Sequence, residues 1–259
     1  MREVYACIYA MQLLTRLPMP LSVPYDESTS RRSLVYFPAA GAIIGLLLAG
    51  SLRLLSALLP ETTAAVFLLL FWVVLTGALH LDGLMDTADG IFSHRPREQM
   101  LSIMKDSRVG SMGVAAGVMV LLLKAALLLD LHRLETVPIA AILVTVPIWS
   151  RSFLVWAITA WPYAGNSQGM GSGFRTAGWK EAIWNTVVSL VLTGICFVWL
   201  APQYWLYGWG LGMVAYLAGR MAAGRWSRLL GGLTGDTYGA LNEGLEIVLL
   251  TASLLVWRG

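Results

Sequence analysis

"VFLLLFWVVLTGALHLDGLMDTADG", residues 66–90, decides how this chain is read. Its first part, residues 66–81, is an apolar run that reads as a membrane span. Its last part, "HLDGLMDTADG", follows with Asp82, Asp86 and Asp89. Three carboxylates at the end of a hydrophobic helix are a polar boundary, an ion pathway or the metal site of an enzyme.

The composition around this stretch favours a bilayer protein. Of 259 residues, 57% are hydrophobic and only 13% are charged; the mean hydropathy is +0.68. A soluble domain devotes about a quarter of its residues to charge, so a water-facing surface could not be covered here. The expected fold is all-α: one polytopic helical bundle over residues 1–259. Continuous apolar runs rule against a membrane barrel, whose strands alternate, and helices satisfy their own backbone groups in lipid.

Runs of about twenty apolar residues place spans at 39–59, 63–81, 112–131, 136–160, 183–201, 204–223 and 239–257, about seven in all. The N-terminal stretch before Pro18 is too short to span and lacks a small-residue cleavage site. It reads as a retained interfacial helix. Cys7 and Cys196 are far apart and form neither a ligand spacing nor a disulfide framework.

The net charge of +3 matters less than where the charges lie. With the N-terminus inside, the inner segments hold Arg2, Arg16, Arg31, Arg32, Arg95, Arg97, Lys105, Arg108, Arg175, Lys180, Arg225 and Arg228. The outer ones hold only Arg133 and Arg258. The positive-inside rule then fixes the orientation. The three long polar loops, 82–111, 161–182 and 224–238, all fall on the cytoplasmic side.

On a helix continuing past the lipid boundary, Asp82, Asp86 and Asp89 at i, i+4 and i+7 share one stripe. Like charges at that spacing destabilise a helix unless a cation lies between them, and Mg²⁺ prefers such carboxylates. The metal reading therefore outweighs the boundary reading. His80 just before them is a catalytic or metal-binding candidate, or a helix-end histidine bonded to a neighbour. Asp106 could complete the metal set, with Lys105 and Arg108 offering charge to a phosphate.

Two other loops carry candidates. "NSQGMGSGFRTAGWK", residues 166–180, could present backbone N–H groups and Arg175 to an anion. "RLLGGLTGDTYGALNEGLE", residues 228–246, places Arg228, Asp236, Glu243 and Glu246 on the same membrane face as the first acids. Charges predicted inside the membrane are Arg53, Lys124, Arg151, Arg220, Glu243 and Glu246, each a functional candidate because burial in lipid is costly. For Arg53 and Lys124 the simpler reading is snorkelling to the interface. Acids for one or two Mg²⁺ beside arginines fit transfer of a phosphoryl-containing group from a diphosphate to an alcohol. The residues by themselves reach no further than that reaction class.

"TGALHLDGLMDTADGIFS", "IMKDSRVGSMG" and "GGLTGDTYGA", with "TRLPMP" and "YFPAAGAIIG" near the start, resemble the cobalamin synthase (adenosylcobinamide-GDP ribazoletransferase) family. The resemblance runs from about residue 14 to 246. It implies Mg²⁺-dependent transfer of phosphocobinamide from adenosylcobinamide-GDP to α-ribazole or its 5′-phosphate, yielding GMP and adenosylcobalamin or its 5′-phosphate.

It implies metal binding by Asp82, Asp86, Asp89 and Asp106, with His80 in the same site. Asp236, Glu243 and Glu246 fall in the family's C-terminal acidic motif. The group that takes the hydroxyl proton stays open between His80 and an aspartate. The implied partners are these substrates and the lipid bilayer, without nucleic acid. Self-association or a complex with other cobalamin-assembly enzymes stays open, and the implied location is the prokaryotic cytoplasmic membrane.

Two rival classes use similar acids. A transporter of divalent cations or a corrinoid would place them near mid-membrane and often shows an inverted repeat. An Asp-rich prenyltransferase-type enzyme would carry two similar acidic motifs, whereas the two here differ. The D-G-x-x-A-R pattern of CDP-alcohol phosphotransferases is absent, since Asp89–Gly90 is followed by "IFSHR".

Overall fold

The computed structural model describes all residues except 20, 22, 24, 25, 135–137, 166–172, 258 and 259. Among the described residues the chain is helical, with short 3-10 turns and one isolated β-bridge. The helices are α1 (Arg2–Leu14), α2 (Glu27–Ser33), α3 (Phe37–Leu58), α4 (Glu61–Thr76), α5 (Leu79–Phe92), α6 (Arg97–Ile103), α7 (Ser111–Arg133), α8 (Ile139–Ala160), α9 (Trp179–Leu200), α10 (Trp205–Leu230) and α11 (Gly235–Trp257).

Each expected span corresponds to one helix except 63–81, which is divided between α4 and α5. Among the described residues five or six stretches, where seven were expected, are long and apolar enough to cross a membrane. Five stretches are long and apolar enough: 27–58, 111–133, 139–160, 179–200 and 235–257. The α4–α5 pair, bent by 89° at its break, makes a sixth only if it is counted as one span. Helix α4 has only 16 residues, short of the roughly twenty that a straight span needs. Helix α10 carries Arg220, Arg225 and Arg228 in its second half, which lowers its hydropathy.

Helix α8 is the central post, with every side chain from Ala141 to Val155 buried. Helix α3 lies against it through Gly41 and Gly45. A Cβ on Gly41 would stand 2.3 Å from the Pro147 carbonyl oxygen, and one on Gly45 2.3 Å from the Val144 Cα. In lipid no hydrophobic gain drives helices together, so such close backbone approach supplies the van der Waals attraction. Helix α9 is tied to α8 by polar bonds: the Ser152 hydroxyl donates to Asn185 Oδ1 at 2.7 Å, and Asn185 Nδ2 donates to the Leu34 carbonyl at 2.8 Å.

The two ends of the bundle differ. At one end the connections are short and closed by contacts such as Arg133–Glu61 at 3.2 Å and Tyr204 against Trp257, ring centroids 4.4 Å apart. The opposite end holds α1, α5, α6 and the longer loops. Helix α1 is packed there by Tyr9, Met11 and Leu14, which join the main core.

Candidate active site

The acidic stretch does not extend the span before it. Helix α4 stops at Gly77 (φ 64°), Ala78 is also left-handed (φ 56°), and α5 sets off almost perpendicular to α4. "TRLPMP" fastens this corner. The Arg16 N–H donates to the Leu75 carbonyl at 2.7 Å, and the Arg16 side chain covers Gly77, where a Cβ would lie 2.1 Å from Nε. The expectation of one helix continuing across the lipid boundary is thus corrected: α5 is a separate helix laid across the bundle end. Its own turns still carry Asp82, Asp86 and Asp89 together.

Two glycines bring a second acidic element to α5. A Cβ on Gly83 would stand 2.8 Å from the Asp236 carbonyl oxygen. One on Gly239 would stand 2.8 Å from the His80 carbonyl oxygen and 3.2 Å from the Gly83 Cα. Helices α5 and α11 therefore cross backbone to backbone, and Asp236 is held beside Asp82. Gly239→Ala is expected to spread the crossing and cut turnover by more than about tenfold, since an ångström of misplacement can cost about 10². Gly244→Ala, with nothing within 4 Å of its Cβ position, should stay within about twofold of wild type. Equal rates for the two variants would remove the crossing from the account.

At this crossing opens a cavity of about 430 Å³. His80, Asp82, Lys105, Tyr163, Thr234 and Asp236 form its polar side; Leu13, Leu14, Phe37, Leu154, Ile158 and Phe174 form an apolar side. All three long loops of the sequence contribute. The second and third are clipped together by a parallel bridge between Tyr163 and Leu233, with the Ala164 N–H donating to the Leu233 carbonyl at 2.8 Å. Gly232 (φ 147°) permits this, because a Cβ there would stand 2.5 Å from the Pro162 carbonyl oxygen.

The acids crowd one another. Asp86 stands among Asp82, Asp236 and Asp89, whose charges all act on it. Such crowding is what a divalent cation relieves, so the donor chemistry of Asp82 and Asp86 fits Mg²⁺. Among the described residues no three His, Cys, Asp or Glu side chains stand close enough to form a ligand cluster. The fit is that of a cation held by one or two carboxylates and completed by substrate phosphates and water, the usual Mg²⁺ arrangement.

Asp89 has a different set of partners. It accepts the Gly110 N–H at Oδ2 and the Gly113 N–H at Oδ1, both at 2.7 Å. Gly110 is the N-cap of α7, so a carboxylate from α5 caps α7 and meets the positive end of its dipole. Either glycine with a Cβ would collide with that carboxylate at 2.4 Å, which accounts for the "VGSMG" spacing. Asp89→Ala is expected to cost about 1–2 kcal/mol of stability while leaving the Mg²⁺ concentration for half-maximal rate within about threefold. A large rise in that concentration, with unfolding unchanged, would make Asp89 a ligand instead.

The remaining predicted residues are distributed unevenly. Asp106 does not line the cavity; Arg108 grips it with Nη2–Oδ2 at 2.7 Å, holding the carboxyl down at about 2. Lys105 lines the cavity and its charge reaches Asp236. Arg175 lies over the Tyr163 ring, 5.2 Å from its centroid, at the cavity edge. Arg228 is exposed near the end of α10, away from the cavity wall. The glycine-rich residues 166–172 of the expected anion loop lie outside the described residues.

Glu243 faces the bundle interior, not the cavity. Glu243 and Glu246 both accept hydrogen bonds from Lys124 Nζ, and Arg151 Nη1 donates to Glu246 Oε1 at 2.8 Å. Lys124 is only 3% exposed and lies 4.9 Å from the Trp72 ring centroid, so it does not snorkel. These two bases and two acids join α7, α8 and α11 in a neutral cluster behind the site. His80 is buried on α5, within reach of the charges of Arg151, Glu246 and Lys124. The pairing of Lys124 with α11 was hidden in sequence, since more than a hundred residues separate the partners. Opposite buried charges on two spans were the only signal.

A family model for cobalamin-5-phosphate synthase matches residues 6–254. The chain belongs to that family. It is 38% identical to the adenosylcobinamide-GDP ribazoletransferase of Brevibacillus brevis, over 97% of this chain and 98% of the relative. It is 37% identical to the Desulfitobacterium hafniense protein of the same name, over 93% of each. The Roseiflexus relative, again of that name, is 39% identical over 95% of this chain and 88% of its own. No solved structure matches the chain. Family membership makes the bundle an enzyme, a transferase of cobalamin biosynthesis, and sets aside the transporter and prenyltransferase alternatives.

Proposed function

We propose that the chain transfers phosphocobinamide from adenosylcobinamide-GDP to a ribose hydroxyl of α-ribazole or its 5′-phosphate, with Mg²⁺, on the cytoplasmic face of the cytoplasmic membrane. The observation that carries this reading is the glycine crossing of α5 and α11, which sets Asp82 and Asp236 on one cavity with Lys105. The names of the relatives supply the substrates, and the arginine asymmetry supports the orientation.

In this reading Asp82 and Asp86 hold Mg²⁺, which when bound neutralises charge on the diphosphate. Lys105 faces the phosphates as a point charge. Asp236 takes the proton from the attacking hydroxyl; the Thr234 hydroxyl stands 3.4 Å from its Oδ2 and orients it. The new ribose O–P bond forms to the cobinamide-bearing phosphate as the bond to GMP breaks. His80, buried in the cavity wall, shapes the site and leaves the proton to Asp236.

The test is purified protein in detergent with adenosylcobinamide-GDP, α-ribazole and Mg²⁺. Equimolar GMP and adenosylcobalamin are expected, abolished by a chelator and restored by Mg²⁺. A folded preparation that makes neither product would overturn the proposal.

A further inference from the structure

We propose that the apolar side of the cavity is the seat of the acceptor's benzimidazole ring, while the guanosine and corrinoid of the donor stay outside. This assignment rests on the reaction proposed above. The cavity, about 430 Å³, lies at the low end of the roughly 300–1,000 Å³ typical of small-ligand pockets. It can take one small aromatic nucleoside, but a corrin with its side chains is several times larger.

The wall chemistry then decides which of the two bases enters. Leu13, Leu14, Phe37, Leu154, Ile158 and Phe174 carry no polar side-chain atom, and Phe37 meets Phe174 edge to face at 6.0 Å. Guanine has donors and acceptors on three edges, which would be left unpaired against this wall. A benzimidazole riboside has a hydrocarbon edge and a single free ring nitrogen.

A second observation points to that nitrogen. His80 lines the same cavity and is 6% exposed. Its imidazole can offer an N–H to one ring acceptor. With the base seated against α1, α3 and α8, its ribose reaches the polar side, where Asp82 and Asp236 stand.

Leu13→Trp and Ile158→Trp fill this space from α1 and from α8. Steady-state kinetics with both substrates varied should show the acceptor KM raised at least about tenfold and the donor KM within about twofold of wild type. A donor KM that rises as much as the acceptor KM, or an acceptor KM that does not move, overturns the assignment.

Equilibrium titration of the wild type without donor keeps the question decidable if a tryptophan variant fails to fold. α-Ribazole should bind at least about tenfold more tightly than adenine riboside, and equal or absent binding overturns the assignment. Selective ribazole binding without turnover would instead count only against the proposed reaction.

Discussion

Asp82→Ala is expected to lower kcat by about 10³-fold while the protein still inserts and folds. Asp82 is exposed on the cavity rim, so its loss removes little packing. Its proposed work is electrostatic, holding the cation that neutralises a diphosphate, and such stabilisation is worth several kcal/mol at about 1.4 kcal/mol per decade of rate. Asp82→Asn keeps the shape and loses the charge, and should be nearly as inactive. Rates of GMP release at saturating substrates, with an unfolding midpoint taken in the same detergent, measure both halves of the prediction. Activity within about tenfold of wild type in either variant would remove Asp82 from the metal assignment.

Lys124→Met should have the opposite signature, a large loss of stability. Its ammonium holds Glu243 and Glu246, all three almost fully buried. Deleting one partner leaves Glu243 without a counter-charge, whereas Glu246 keeps Arg151. Breaking a buried pair from one side costs about 3–5 kcal/mol, a fall in unfolding temperature of roughly 10 °C for a chain of this size. The double variant Lys124→Met/Glu243→Gln should regain most of that fall, because the orphaned carboxylate is gone. If the double variant is no more stable than the single one, the charges are not coupled as the geometry requires.

These two expectations divide the ionisable residues that looked alike in sequence. Asp82 and Glu243 were both acids in motifs on one side of the membrane. Asp82 faces the cavity; Glu243, on the inward side of α11, is consumed by a helix-to-helix ion pair. Asp89 was the third member of a carboxylate stripe, yet its oxygens are taken by the amides that begin α7. Asp106 was a ligand candidate beside Lys105, but the neighbouring Arg108 holds it outside the cavity. Each of those partners is set by folding, and none by spacing within the motif.

The break at Gly77–Ala78 illustrates the same limit for the fold. An apolar run reports burial, and it carries straight through residues 76–81. The turn depends on Arg16, sixty residues earlier, whose backbone and side chain cover the exposed end of α4. Glycine in the run was a hint, but glycine is also common within spans.

The sequence by itself determined a helical membrane bundle, because in lipid long apolar runs have no other way to satisfy their backbone. It also determined that acids and bases gather in three loops, and that the motifs are those of one enzyme family. Only the tertiary structure decided which acids meet. Gly83 and Gly239 let α5 and α11 touch, and the Lys124–Glu243–Glu246–Arg151 cluster fixes the helices behind them. A side chain's role depends on what faces it across the packed interior, and that is set by helix crossings rather than by position along the chain.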